Sequence, residues 1–135
     1  MTDKLDLIIF IDDDLATNYL HERNANLADC AKQIKVFSSA LDALEYLKDT
    51  DKEDYIKPNI IFLDINMPIM NGWEFLEEYE KLNLNEKSNL LLVMLTTSLN
   101  PKDKAKADAL NVVSDFRNKP LLSEHLLEIV SENFD

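Results

Sequence analysis

The sequence predicts an α/β fold in which a five-stranded parallel sheet carries five helices on both faces. Three observations lead there. Short apolar runs recur without polar alternation, as strands covered on both sides require. Segments with apolar residues at helical spacing separate those runs. Two of the runs stop abruptly at aspartate.

The first run, Leu5 to Ile11, reads as a strand and ends at Asp12-Asp13-Asp14. A helix is expected from about Leu15 to Cys30, although His21-Glu22-Arg23-Asn24 interrupts its apolar spacing. Gln33 to Phe37 is the second strand. Ser39 stands where an N-cap belongs, and Ala40, Leu41, Leu44 and Leu47 follow as the buried stripe of a helix. Ile60 to Leu63 forms the third strand and runs into Asp64, and after Gly72 a helix uses Phe75, Leu76, Tyr79 and Leu82. Leu90 to Leu95 is the fourth strand, ending at Thr96-Thr97-Ser98. Asn100-Pro101 supplies a cap and a first-turn proline for a polar helix from Lys102 to Leu110. Val112 to Phe116 is the fifth strand, and a last helix after Leu122-Ser123 buries Leu126, Leu127 and Val130. This alternation predicts right-handed crossovers.

At 135 residues the chain fits one domain, 1–135, with no separate output domain expected. The balance of 46% hydrophobic and 30% charged residues is that of a globular protein, and no apolar stretch is long enough to cross a membrane. The run from Leu7 to Ile11 is too short for a signal peptide, so a cytoplasmic location is expected. Cys30 is the single cysteine and reads as a small buried side chain. A net charge of -12 repels phosphate backbones and anionic membranes, which argues against direct DNA binding and membrane insertion. The acidic stretch from Lys48 to Asp54 reads as a solvated loop.

In open parallel sheets ligands collect beyond the carboxyl ends of the strands. Those ends carry Asp12, Asp13 and Asp14, then Asp64, then Thr96, then Lys119-Pro120. In a flavodoxin-like order 2-1-3-4-5 these residues converge on one rim. Singly, each has a plain structural explanation as a cap, a strand-end hydroxyl or a turn. Together they do not, because two carboxylates about 4 Å apart repel by roughly 4 kcal/mol at an effective dielectric of 20. Protonation of one carboxyl would relieve this, and so would Mg²⁺, which prefers oxygen ligands and keeps sites open. The metal reading also leaves Asp64 free to attack phosphorus and form an aspartyl phosphate. Lys119 would then meet one phosphoryl oxygen as a compact cation and the Thr96 hydroxyl another. Phosphoryl transfer needs mainly positioning and charge neutralisation, so no histidine base is required.

These motifs resemble the response-regulator receiver domains of two-component signalling, over essentially Lys4 to Phe134. Ile8 to Asp14 is similar to that family's first strand and acidic pair, and Ile60 to Gly72 to its phosphorylation-site signature. Met94 to Ser98 and Asn118-Lys119-Pro120 complete the set. The resemblance implies that Asp13, Asp64 and the backbone carbonyl of Asn66 ligate Mg²⁺, with Asp12 acting largely through water. It implies that Thr96 and Lys119 bind the phosphoryl group, that Thr96 and Phe116 form the switch, and that Asn66 and Ser98 tune hydrolysis. Phe116 stands where Tyr is common, so that hydroxyl is missing, and Asn111-Val112 replaces a frequent Gly-Ala. A cis Lys119-Pro120 bond is also implied.

The expected function is therefore that of a stand-alone, chemotaxis-regulator-like response regulator, a phosphoprotein rather than an enzyme. It takes a phosphoryl group onto Asp64 from a sensor histidine kinase or a histidine phosphotransfer protein and relays the signal to a downstream protein. The relay is expected through the face built from helix four, strand five and helix five. Limited self-phosphorylation from small phosphodonors and autodephosphorylation accompany this reading. Rivals are a receiver-fold binding module independent of phosphate and a Mg²⁺-dependent phosphatase. The phosphatase would want a second acid where Asn66 stands, and an amide cannot act as a general acid. His21 and His125 are expected on exposed helix faces, Trp73 near the rim without a role, and the single glycine, Gly72, excludes a Gly-rich nucleotide loop.

Overall fold

The computed structural model describes residues 4–82, 90–97 and 100–134. Along the chain it has β1 (Leu5–Ile11), α1 (Leu15–Ala28), β2 (Ala31–Phe37), α2 (Ala40–Lys48) and β3 (Ile60–Asp64), followed by α3 (Gly72–Lys81), β4 (Leu91–Thr96), α4 (Pro101–Asp108), β5 (Asp115–Asn118) and α5 (Ser123–Phe134). All sheet pairings are parallel, in the order β2-β1-β3-β4-β5.

Alternation within the central strands explains their unbroken apolar character. Leu7, Ile9, Ile11, Ile61, Leu63, Leu92 and Met94 face one core with Ala43, Leu44 and Leu47 of α2 and Phe75, Leu76 and Tyr79 of α3. Ile8, Phe10, Ile60, Phe62, Val93 and Leu95 face the other, packed with Ala25 of α1 and Leu126, Ile129 and Val130 of α5. Both faces are thus covered, and polar alternation has no place in β1, β3 or β4. No helix among the described residues is long and apolar enough to cross a membrane.

The helix starts follow the cap chemistry in the sequence. Ser39 Oγ accepts from Leu41 N and Asp42 N, and Asn100 Oδ1 accepts from Lys102 N ahead of Pro101. Asn71 and Glu74 form a reciprocal capping box at α3.

Several expectations need correction. β5 lies at Asp115–Asn118 rather than Val112 to Phe116. Val112 and Val113 pack against the core from the turn before it, where Val113 N donates to Leu110 O and Ser114 N to Leu92 O. Their apolar character serves that packing, while β5, an edge strand, buries only Phe116. Leu41 and Leu127 are exposed, and Ala43 and Ile129 take the buried positions. His21 is not exposed but 1% accessible, and the buried face of α1 is Asn18, His21, Asn24 and Ala25. Cys30 is buried, as expected.

Candidate functional site

The rim of the sheet brings the strand-end residues together. Asp12 follows β1, and its Oδ1 accepts from Asp14 N at 3.0 Å, which leaves Oδ2 for the site. Asp14 turns away and caps α1, accepting from Thr17 Oγ1 and Ala16 N, contacts that in that order hold its carboxyl below the usual carboxylate range. The acidic triplet therefore divides its labour: two carboxylates for the rim and one for the helix start.

Asp12, Asp13 and Asp64 each offer a carboxylate oxygen, and these atoms lie within 4.8 Å of one another. Asp13 is exposed, whereas Asp12 and Asp64 are buried. Lys119, entering from the end of β5, donates through Nζ to Asp12 Oδ2 at 2.7 Å and to Asp64 Oδ1 at 3.1 Å. Its backbone N–H donates to Thr96 O at 2.7 Å, which ties β5 to the end of β4. The Lys119-Pro120 peptide is cis.

One ammonium shared by two buried anions leaves the cluster negative, and the titration of Lys119 and of Asp64 reflects it. Burial works to depress the Lys119 ammonium, but hydrogen bonding and charge from Asp12, then Asp64, outweigh it and raise its pKa. Burial first, and then the Asp12 charge, pushes the Asp64 carboxyl up to about 6 against the pull of Lys119. A group that is costly to ionise, beside two further carboxylates, is well placed to receive a cation. The donor set is oxygen only and partly open to solvent through Asp13, which suits Mg²⁺ better than a softer metal. Asp12, Asp13 and Asp64 thus fit the implied ion.

The loop after Asp64 is held close to the site. Gly72 N donates to Ile65 O at 2.7 Å, and a Cβ on Gly72 would stand 2.7 Å from Asp64 O and 2.9 Å from Ile65 Cα. The only glycine in the chain stands where α3 passes against the backbone of Asp64. Within this loop Ile69 adopts φ 67 while 91% exposed, a left-handed conformation uncommon for a β-branched side chain. Asn66 is exposed at the rim, and Ser98 lies outside the described residues. Thr96 is buried at the end of β4, and Phe116, 8% accessible, pairs in register with Met94.

Residues 8–131 match the description "Response regulator receiver domain". The chain belongs to that family. This receiver domain has a TM-score of 0.86 to the crystal structure of a two-component response regulator from Cytophaga hutchinsonii, at 30% identity and covering 96% of each chain. It is 30% identical over 129 residues to a protein-glutamate methylesterase/protein-glutamine glutaminase of Treponema denticola, covering 94% of this chain and 32% of that protein. It is 28% identical over 132 residues to the sensor histidine kinase CheAY of Helicobacter pylori, covering 95% of this chain and 15% of that protein. The chain thus spans less than a third of the length of these curated relatives.

Sequence reasoning missed one part of the site. Asn18 Nδ2 donates to Asp12 O at 2.7 Å, His21 Nε2 accepts from Leu121 N at 3.1 Å, and Asn24 Nδ2 donates to Leu121 O at 2.9 Å. These side chains interrupt the apolar pattern of α1 because they are its inward face. Their spacing of one helical turn was the available signal. Trp73 is half-buried beside the core, with the Lys106 ammonium 4.6 Å from its ring centroid.

Proposed function

We propose that this receiver domain accepts a phosphoryl group on Asp64 from the phosphohistidine of a sensor histidine kinase or a histidine phosphotransfer protein. The observation that carries this reading is the Lys119 ammonium bridging Asp12 and Asp64 beside Asp13.

An Asp64 oxygen attacks phosphorus, the N–P bond of the donor breaks, and the imidazole leaves as the carboxylate becomes an acyl phosphate. Asp12, Asp13, Asp64 and the Asn66 carbonyl would hold Mg²⁺. When bound, that ion neutralises the carboxylates and the charge on the transferring group. Lys119 keeps its 2.7 Å bond to Asp12 and exchanges its Asp64 contact for a phosphoryl oxygen, so the cation stays where negative charge builds up. The Thr96 hydroxyl donates to another phosphoryl oxygen. Hydrolysis reverses the change: water attacks phosphorus, the Asp64 O–P bond breaks, and phosphate leaves. Asn66 and Ser98 tune the rate of that step.

The signal leaves through α4, β5 and α5 toward a downstream protein. Thr96 and Phe116 sit on the two adjoining strands, so movement of one changes the packing available to the other. A phosphoryl group can shift this equilibrium only by its differential interaction with the two states. NMR relaxation dispersion with and without a phosphoryl mimic tests the relay, and an absence of exchange on that face in both conditions refutes it.

Incubation with a small phosphodonor and Mg²⁺ tests acceptance. One labile acyl phosphate per chain on Asp64, absent from Asp64→Asn, is the expected result. No label sinks the proposal, and rapid multiple turnover makes the protein a phosphatase instead.

A further inference from the structure

Leu121 lies two residues beyond Lys119, with its side chain buried. α5 begins only at Ser123, and Pro120 has no N–H, so local secondary structure provides no partner for the Leu121 backbone. Buried backbone groups need partners. Both are supplied by side chains of α1, with His21 Nε2 accepting from Leu121 N at 3.1 Å and Asn24 Nδ2 donating to Leu121 O at 2.9 Å.

The two clamping side chains are themselves fixed. The His21 ring stacks on Phe10, with centroids 5.2 Å apart and planes 26° from parallel, and Asn24 is 8% accessible. One turn earlier on the same face, Asn18 Nδ2 donates to Asp12 O at 2.7 Å. A single helix face therefore holds the backbone on both sides of the Lys119–Asp12 ion pair. Lys119 is anchored on its other flank by the bond from its own N–H to Thr96 O. Apolar side chains would fill this face of α1 equally well for packing alone. Three polar ones stand there instead, each bonded to the backbone of a segment that carries a site residue.

We propose that His21 and Asn24 are positioning residues for phosphoryl acceptance, holding Leu121 so that the Lys119 ammonium stays aimed at the acceptor carboxylate. The proposal rests on the phosphoryl-acceptor reading of Asp64. It assigns the hydrogen bond from Leu121 N, rather than the bulk of the imidazole, as the feature that matters at position 21. The carboxylates that would hold Mg²⁺ lie just after β1 and at the end of β3, so the metal should be little affected by loss of the clamp.

The test uses the full chain and four proteins: wild type, His21→Leu, His21→Gln and Asn24→Leu. Each is titrated with Mg²⁺ alone and then with beryllofluoride in saturating Mg²⁺, followed by ¹⁵N NMR. Gln can place an acceptor where His21 Nε2 stands, and Leu cannot. The expected result is beryllofluoride affinity about tenfold weaker in His21→Leu and Asn24→Leu, with His21→Gln within twofold of wild type and Mg²⁺ affinity within twofold in all. The Lys119 and Leu121 amide signals should also move in His21→Leu before any ligand is added. Wild-type beryllofluoride affinity in His21→Leu overturns the proposal. So does a His21→Gln loss as large as that of His21→Leu, or an equal loss of Mg²⁺ affinity, which marks a merely structural role. A wild type that binds Mg²⁺ but not beryllofluoride refutes the phosphoryl reading itself. In that case unmoved Lys119 signals in His21→Leu overturn the clamp as well, and moved ones retain it as a positioning device.

Discussion

Lys119→Met removes the cation that bridges two buried carboxylates while keeping a side chain of similar length. In the wild type Nζ lies 2.7 Å from Asp12 and 3.1 Å from Asp64. Without it, two anions whose ligand oxygens lie within 4.8 Å of one another face each other with little solvent. At that separation and an effective dielectric of 20, their repulsion is about 3 kcal/mol. That agrees with the roughly 3 to 5 kcal/mol usually lost when one partner of a buried pair is removed. The loss should depend on pH. Asp64 titrates at about 6 in the wild type, and the variant moves it higher because the opposing Lys119 charge is gone. At pH 8, well above the wild-type titration of Asp64, most of this penalty of about 3 kcal/mol applies. At pH 5 the folded variant protonates Asp64, and the penalty falls below about 1 kcal/mol. Urea denaturation at both values, without divalent ions, measures this. Saturating Mg²⁺ at pH 8 should recover most of the loss, since the ion binds the folded state alone. An equal loss at pH 5 and pH 8, or under about 0.5 kcal/mol at pH 8, would mean that Lys119 does not neutralise this cluster.

Other expectations concern neighbouring groups. Burial lowers His21 from 6.5 to about 4, so the unfolded chain binds the extra proton and stability falls by about 3 kcal/mol as pH drops through that window. Asp64, raised from 3.8 to about 6, has the opposite sign and returns about 3 kcal/mol over nearly the same range, so Asp64→Asn should lose stability on acidification by about that much more than wild type in paired urea titrations. Protons and Mg²⁺ compete for Asp64, and calorimetric titration should find Mg²⁺ affinity about tenfold weaker at pH 5 than at pH 7.5. Gly72→Ala places a Cβ 2.7 Å from the Asp64 carbonyl, and a destabilisation of about 2 kcal/mol in urea, with slower labelling of Asp64, is expected.

The fold was legible where one physical requirement dominated. β1, β3 and β4 are buried on both faces, so their apolar runs mark them to within a residue. The helix starts were legible because Ser39 and Asn100 are caps whose side chains serve the local backbone. β5 was misplaced because an edge strand with one neighbour buries a single side chain, Phe116, and its polar sequence carries no period. Leu127 misled for the opposite reason. It continues the apolar pattern of α5 but faces solvent, and periodicity cannot say where a buried stripe stops.

The site divides in the same way. Asp12, Asp64, Thr96 and Lys119 each sit at the end of a strand, so topology alone gathers them, and sequence order was enough to name them. The buried face of α1 was illegible because hydropathy treats Asn18, His21 and Asn24 as solvent-facing, while their work is to satisfy backbone groups of other segments. The electrostatics follow from that burial. In water Asp12, Asp64 and Lys119 would carry ordinary charges. Buried at the sheet rim, Asp64 bears the shortage of one positive charge and is hard to ionise until a cation arrives. Asn18 and His21 of α1 hold the two backbones that bring the lysine to its carboxylates.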